Sequence, residues 1–403
     1  MQFCNWNEIL HKMLNRDLEY ALNELIKYFP IVSVSGPRQS GKSTLVKKVF
    51  KNLPYVLLED RDVQLFAESD PRGFLAQYPN GAILDEIQRV PVLFTYLQGM
   101  ADADPYRKFV LSGSQNYLMM EGITQSLAGR VGLLNLLPFS WNEMQIKDKS
   151  SVNLLFNGGY PGIIANQIPK NIFFSSYVQT YIERDVRQLK NIGDLSLFMR
   201  FLKLCAGRAG QLLNVSALAN DAGISPNTAA SWLSVLENSY VIFLLNPYYQ
   251  NWGKRLTKMS KLYFYDTGLL TYLLDIADEK QLDTHFAYGS IFENGIILEI
   301  MKKLINEGEK PQIYYWRDSN GNEMDLILET KGRLIPIEIK SAQTPTDNLW
   351  KGFKKWNALA KIAPNAGYVI YGGDQSQTRS EVNLVSWREM NKIFGFNKKN
   401  QLN

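Results

Sequence analysis

The sequence predicts an α/β chain in three parts: a parallel-sheet domain, a mostly helical middle and a second, mixed α/β region. Three observations carry this. Between residues 31 and 114, short apolar runs ending in polar residues alternate with helical stretches, the pattern of βαβ units. From 172 to about 247 the apolar spacing is mostly helical. From 262 to 387 strand-like runs and a long helical stretch mix again. The expected divisions are 1–145, 146–250 and 251–403.

Length and composition set the outer bounds. The chain has 403 residues, enough for two or three cores, and 45% hydrophobic with 21% charged residues is ordinary for a soluble globular protein. A net charge of +5 permits a nucleic-acid partner and equally suits a solvated basic surface. Two cysteines and two histidines cannot build a disulfide framework or a zinc cluster, which points to a reducing compartment. No run reaches the roughly 20 apolar residues of a membrane span, and the start lacks a basic segment followed by an apolar one. The expectation is a cytoplasmic protein with no membrane partner.

In chain order, apolar residues at Ile9, Met13, Leu18, Leu22, Leu25 and Ile26 predict a helix over 6–28, closed by Pro30. IVSVSG, YVLLED, GAILDEI and KFVLSGS predict four strands, with helices at 43–51 and 92–101. LLNLLPFSWNEM (133–144) closes the first part. DSNGNE (318–323) between two strand-like runs predicts a hairpin turn, with Asn320-Gly321 supplying the positive backbone angles.

VSGPRQSGKST (34–44) fits G-x-x-x-x-G-K-[ST] throughout, after a strand and opening a helix. Gly36 and Gly41 let the backbone wrap a phosphate. The amides of Pro37-flanked Arg38, Gln39, Ser40 and Thr44, with the helix N-terminus, face its charge. Lys42 is expected at the β- and γ-phosphates and Ser43 at a Mg²⁺ ion. AILDEIQ then ends a strand in two acids. Asp85 is placed for the Mg²⁺ shell and Glu86 to polarise water, the alternative being two solvated acids. At the next strand end, Ser114 or Gln115 is either a γ-phosphate sensor or an ordinary polar loop residue. Arg130 is either a charge-balancing arginine, acting from a neighbouring copy, or a surface ion pair. The ligand these residues predict is ATP.

Residues 215–245 have a helix-turn-helix rhythm. Gly223 permits the turn, Ser225 and Pro226 open the second helix, and Asn227, Thr228 and Ser231 point outward. YVIFLL would supply a wing strand. The outward face lacks Lys and Arg, so the unit is read either as a DNA contact or as an interdomain packing module.

NEMDLILE and LIPIEIKS form a second constellation. Alternate strand residues share a face, which groups Glu323 with Asp325 and Glu338 with Lys340. An acid followed 13 positions later by an acid-x-lysine is the pattern of PD-(D/E)xK nucleases. Asp325 and Glu338 are then candidate metal ligands, Lys340 orients water, and Glu293 is the further acid from a helix. The bland alternative is the charged face of a hairpin.

FPIVSVSGPRQSGKSTL, ILDEIQRVPVLF, FVLSGSQ, SLAGRVGLLNLLPFSWNE and GGYPG resemble prokaryotic AAA-type P-loop ATPases whose C-terminal part is a domain of unknown function of the 4143 type. YIERDV, YFYDTGLLTYLL, GSIFENGIILE, YYWRDSNGNEMDLIL and IPIEIKS resemble that C-terminal part, so the likeness runs from about 16 to 385. It implies a P-loop NTPase sheet domain, a winged-helix middle and a restriction-endonuclease-like α/β C-terminal domain. The ATP motif maps onto Gly36, Gly41, Lys42, Ser43, Asp85 and Glu86, and the nuclease pattern onto Glu293, Asp325, Glu338 and Lys340. Arg130 matches the AGR motif. The implied function is Mg²⁺-dependent ATP binding and hydrolysis coupled to a nuclease-like domain acting on DNA, in a possible homo-oligomer; the rival is an ATP-controlled switch or scaffold that cuts nothing.

Overall fold

The computed structural model describes residues 14–114, 123, 125–145, 149–182, 194–248, 259–318, 320–346, 353, 356, 367–379 and 382–397. Residues 6–13 of the expected helix over 6–28, Gln115 and the C-terminal KKNQLN lie outside these residues.

The first part is a five-stranded, wholly parallel sheet. Its strands are β1 (Ile31–Ser35), β2 (Tyr55–Leu57), β3 (Gly81–Asp85), β4 (Lys108–Gly113) and β5 (Val131–Asn135), in the order β2-β3-β4-β1-β5. β1 and β3 are buried along their whole length because helices cover both faces, which is why they read as unbroken apolar runs. α1 (Glu19–Tyr28) and α2 (Lys42–Val49) cover one face, through Leu18, Leu22, Leu45 and Val46 against Val32, Val34 and Leu134. α3 (Arg61–Ser69), α4 (Pro71–Ala76) and α5 (Val92–Ala103) cover the other, with Phe74, Phe94 and Leu97 against Ile31, Leu84 and Leu111. In-register pairing brings Ser35 level with Gly113 and Asp85 level with Ser112. The polar ends of β1, β3 and β4 therefore share one edge, the place where open α/β sheets bind ligands.

The middle holds α6 (Ser151–Asn157), α7 (Pro161–Ile164), α8 (Lys170–Tyr177), α9 (Leu195–Ala206), α10 (Val215–Ala222) and α11 (Pro226–Asn238). Asn214 caps α10 by accepting from Ala217 N at 3.0 Å, and Gly223 closes it at φ +76°. Ser225 caps α11 through Thr228 N at 3.1 Å, with Pro226 in its first turn. β6 (Ile242–Leu245) follows and pairs antiparallel with β7 (Lys261–Phe264). That pairing spans residue 250, so the expected division there cuts a sheet in two. The chain continues through α12 (Thr267–Leu273), α13 (Glu279–Thr284) and the long α14 (Tyr288–Asn306). One apolar core joins Leu137 at its start to Ile393 near its end, so middle and C-terminal parts are packed as one mass. Asp266 pins them: it caps α12 through Leu269 N at 2.9 Å and accepts from Gly159 N at 2.8 Å.

The last sheet runs β12-β13-β11-β10-β9-β8. β8 (Ile313–Arg317), β9 (Glu323–Thr330) and β10 (Arg333–Lys340) form an antiparallel meander. β11 (Tyr368–Tyr371) and β13 (Asn383–Ser386) extend it in parallel, and β12 (Gln377–Thr378) adds a short edge. α14 packs against β10. In the β8–β9 turn Gly321 has φ +81°, as expected. Asp318 Oδ1 also accepts from Asn320 N and Asn322 N, both at 2.9 Å, so a side chain helps organise the turn.

Lys170 is buried, with Nζ donating to Thr271 Oγ1 at 2.8 Å and lying 3.4 Å from the Phe156 ring centre. Burial lowers its pKa to about 7, against a smaller opposing effect of Asp266. The unfolded chain keeps this proton up to about 10.5. Between about 7 and 10.5 unfolding therefore takes up a proton, and stability rises with pH, by at most about 1.4 kcal/mol per unit. Below about 7 the full cost of the buried charge is present. Lys170→Met is expected to remove this slope in urea unfolding between pH 7 and 9.5; an unchanged slope would contradict the assignment.

Candidate nucleotide site and acidic cluster

The phosphate loop is shaped by backbone geometry. Gly36 has φ +146°, and a Cβ there would lie 2.2 Å from the Leu136 carbonyl oxygen. Gly41 has φ +95° directly before α2. Only glycine meets both demands. Lys42 is buried at the helix start and donates to the carbonyls of Gly36 at 2.9 Å and Pro37 at 2.7 Å. Burial lowers its pKa to about 8, with Glu86 and Asp85 pulling the other way. Ser43 Oγ donates to Asp85 Oδ2 at 2.6 Å, although 42 positions separate them. Asp85 also accepts from Tyr55 OH at 2.5 Å, from the Ser112 hydroxyl and from Glu86 N at 3.1 Å. Glu86 stands just past the strand in a left-handed conformation, φ 56°, and is held by Gln88. Ser114 is buried between Arg38 Nε, at 3.2 Å, and Glu86 Oε2, at 3.4 Å.

A cavity of about 700 Å³ opens over the loop. Arg38, Gln39, Gly41, Lys42, Ser43, Thr44 and Glu86 line one side; Ile168, Ile172 and Phe173 of the middle part line the other. The loop thus offers cations and amides to the cavity, and the middle part offers apolar side chains beside the polar Asn166 and Ser176. The hydroxyl of Ser40 is buried in the loop without a hydrogen-bond partner. Together with the Ser43–Asp85 oxygens, which suit a hard divalent cation, these groups fit a nucleotide with Mg²⁺.

Two supports were not anticipated from the sequence. Arg16 is buried behind the loop. Its guanidinium donates to Ser40 O at 2.8 Å, Leu137 O at 2.6 Å and Glu143 Oε1 at 2.9 Å, and stacks 4.7 Å from the Phe139 ring centre. Tyr55 is the second; burial, then its bond to Asp85, raises its pKa. The only sequence trace of either is Glu143 inside the SWNE motif.

Arg130 is not brought to this site. It precedes β5, at the end of the sheet opposite the loop, roughly 15 Å away by strand rise. There it pairs with Asp102, Nε to Oδ1 at 2.6 Å. Within one chain it is a surface ion pair.

The C-terminal residues do gather. Asp325 and Glu338 are buried side by side on β9 and β10. Lys340 Nζ spans both, 3.0 Å from Asp325 Oδ2 and 2.8 Å from Glu338 Oε2, and Ile339 N donates to Asp325 Oδ2 at 2.8 Å. Burial opposes ionisation of Asp325, but Lys340 and these hydrogen bonds outweigh it and hold the carboxyl low. Burial and the neighbouring Asp325 charge push Glu338 well up. The two carboxyls are thus pushed in opposite directions. Glu293 comes from α14 but turns to Lys261 Nζ, at 3.2 Å, and to the Tyr263 hydroxyl. Burial and the Asp325 charge raise its pKa to about 7. Glu323 pairs with Lys261 and with Arg317, at 2.9 Å, rather than with Asp325. Among the described residues no group of three or more His, Cys, Asp or Glu side chains is arranged to hold a metal ion. The expected triad of Glu293, Asp325 and Glu338 is thus reduced to a pair, because Lys261 and Tyr263 claim the third acid.

The fold and loop define the N-terminal part as an AAA-type P-loop NTPase domain, and residues 28–145 match an AAA domain family. Residues 148–280 and 288–390 match two domains of unknown function, DUF8612 and DUF4143. Uncharacterized protein Rv2008c of Mycobacterium tuberculosis and uncharacterized protein Mb2031c of Mycobacterium bovis are each 30% identical over 335 residues, 82% of this chain and 75% of theirs. The chain belongs to the family of these mycobacterial proteins. Among solved structures, the Walker-type ATPase PABY2304 of Pyrococcus abyssi aligns at 15% identity and TM-score 0.46, over 66% of this chain and 97% of its own. AMPPCP-bound DnaA of Aquifex aeolicus aligns at 14% and TM-score 0.30, over 55% and 85%. The fold assignment rests on the AAA match, the strand order and the loop geometry. No helix among the described residues is long and apolar enough to cross a membrane.

Arg16→Met leaves buried Glu143 without its cation, with the Asp17 and Ser140 amides as donors, and frees the Ser40 and Leu137 carbonyls. The expected loss is about 3–5 kcal/mol in urea unfolding. Lys48→Ala, which removes a half-exposed partner of Glu19, is expected to cost under about 1 kcal/mol. Equal losses would show that Arg16 does not hold the loop.

Proposed function

We propose that this protein binds and hydrolyses ATP with Mg²⁺, and that its nucleotide state governs a C-terminal nuclease-like domain acting on DNA. The observation that carries the ATP part is the convergence of Lys42, the Ser43–Asp85 pair and Glu86 at the mouth of one cavity. In this reading Lys42 exchanges the Gly36 and Pro37 carbonyls for phosphate oxygens. Ser43 and Asp85 hold Mg²⁺, which neutralises phosphate charge when bound. Glu86 takes a proton from the attacking water, and Ser114, which bonds both Arg38 and Glu86, reports the γ-phosphate. Ile168, Ile172 and Phe173 offer an apolar wall to the base. Arg130 contributes only from a neighbouring copy, so its role depends on a homo-oligomer.

The DNA part rests on two arrangements. α9, α10 and α11 followed by the β6–β7 pair fit a winged-helix unit, with Asn227 exposed on α11. α14, the β8–β10 meander and the parallel β11 fit a restriction-endonuclease-like core. Asp325 and Glu338 would then ligate a divalent ion and Lys340 would orient water. A second reading has its own support: with Glu293 held by Lys261 and Tyr263, the domain binds without cutting and the protein is an ATP-controlled switch.

One assay tests both. Purified protein is incubated with linear, circular and single-stranded DNA and Mg²⁺ or Mn²⁺, with and without ATP, while phosphate release is followed. Glu86→Gln is expected to keep ATP binding and lose about 10²–10⁴-fold in turnover. The double change Glu338→Ala and Lys340→Ala is expected to abolish DNA cleavage and spare ATP turnover. Turnover without cleavage on any DNA would leave the switch; absence of ATP binding would remove both readings.

A further inference from the structure

Tyr240 ties the strand that feeds the phosphate loop to the hairpin that feeds the acidic cluster. Its buried hydroxyl lies 2.8 Å from Ser35 Oγ and donates to Asn135 Oδ1 at 3.0 Å. Ser35 is the last residue of β1, and the next carbonyl, that of Gly36, is an acceptor of Lys42. Tyr240 itself is left-handed, φ 56°, between α11 and β6. A non-glycine residue keeps that conformation only where its surroundings hold it. Val241 O then accepts from Tyr265 N at 3.1 Å, and β6 pairs with β7 residue by residue, Leu245 opposite Lys261 and Phe243 opposite Tyr263. Lys261 and Tyr263 are the two side chains that bind the Glu293 carboxylate.

We propose that the β6–β7 pair carries the nucleotide state of the phosphate loop to the acidic cluster, with Tyr240 as its input contact and Lys261 and Tyr263 as its output contacts. The inference rests on the ATP-binding reading above and deepens it. Phosphate binding draws Lys42 off the Gly36 and Pro37 carbonyls, so the backbone beside Ser35 must find new partners. Ser35, Tyr240 and Asn135 are joined pairwise by three hydrogen bonds, so a displacement of Ser35 is passed to Tyr240. Movement of the hairpin loosens Lys261 and Tyr263 from Glu293. Two discrete arrangements follow: Glu293 held by the hairpin, or Glu293 free to join the acid pair.

The test is amide hydrogen exchange on the full chain over residues 240–245, 259–266 and 288–300, with and without saturating ATP and Mg²⁺. ATP binding is measured separately by calorimetry. In the unaltered protein ATP is expected to speed exchange in 259–266 and 288–300 about fivefold or more, the lower range of ordinary coupling. Tyr240→Phe is expected to bind ATP and lose more than half of that change; Ser35→Ala, which removes the same bond from the other side, is expected to do likewise. Tyr263→Phe is expected to speed exchange in 288–300 without ATP. Bound ATP with no change in exchange overturns the coupling and leaves the ATP reading standing, as does a wild-type response in both Tyr240→Phe and Ser35→Ala. Failure of the unaltered protein to bind ATP overturns the two together.

Discussion

Asp85 is the group on which the nucleotide site depends. A carboxylate almost fully out of water is tolerable only if its lone pairs are taken up, and here a serine from α2, a tyrosine from β2, a serine from β4 and the next backbone amide take them. Those four donors come from both sides of β3. They fix α2 against the sheet and so fix the loop that α2 closes. The in-register parallel strands make this possible, because they bring the ends of β3 and β4 to one level.

The same device recurs wherever two parts of the chain meet. Asp266 is buried with Gly159 N and Leu269 N as donors, and thereby joins the GGYPG turn to the YDTG helix start. Glu299 is buried with Trp141 N at 2.6 Å and Lys302 Nζ at 2.8 Å, joining α14 to the segment after β5. Arg16 and Glu143 do so behind the phosphate loop. Each of these buried groups joins separate segments by directional bonds within an apolar core. The middle and C-terminal parts are consequently one packed mass rather than beads on a string.

The acidic cluster differs from the nucleotide site in one respect. At the nucleotide site the donors to Asp85 are neutral hydroxyls and an amide, so no ammonium group stands on that carboxylate. At the cluster the acids already have lysines: Lys340 on the Asp325–Glu338 pair and Lys261 on Glu293 and Glu323. A cation must displace or move an ammonium group to bind there. The position of the β6–β7 pair, which carries Lys261, therefore bears on how open these acids are to a cation.

By itself the sequence determined what depends on neighbouring residues. Two glycines five apart, a lysine and a serine at a helix start specify a phosphate loop because consecutive amides make the cradle. The apolar strands β1 to β4 were readable for a similar reason, since strands covered on both faces are continuous hydrophobic runs. Asp325, Glu338 and Lys340 were readable because a two-residue period and a short hairpin fix which side chains share a face. The tertiary structure alone decided the rest. Arg16 meets Glu143 across 127 positions, and Tyr240 meets Ser35 across 205. It also sent Arg130 to the far end of the sheet, organised the 318–322 turn through Asp318, and gave Glu293 to Lys261 and Tyr263. No periodicity encodes such pairs. A buried charge takes whichever partner the packed core brings within about 3 Å, and that choice exists only once the chain has closed on itself.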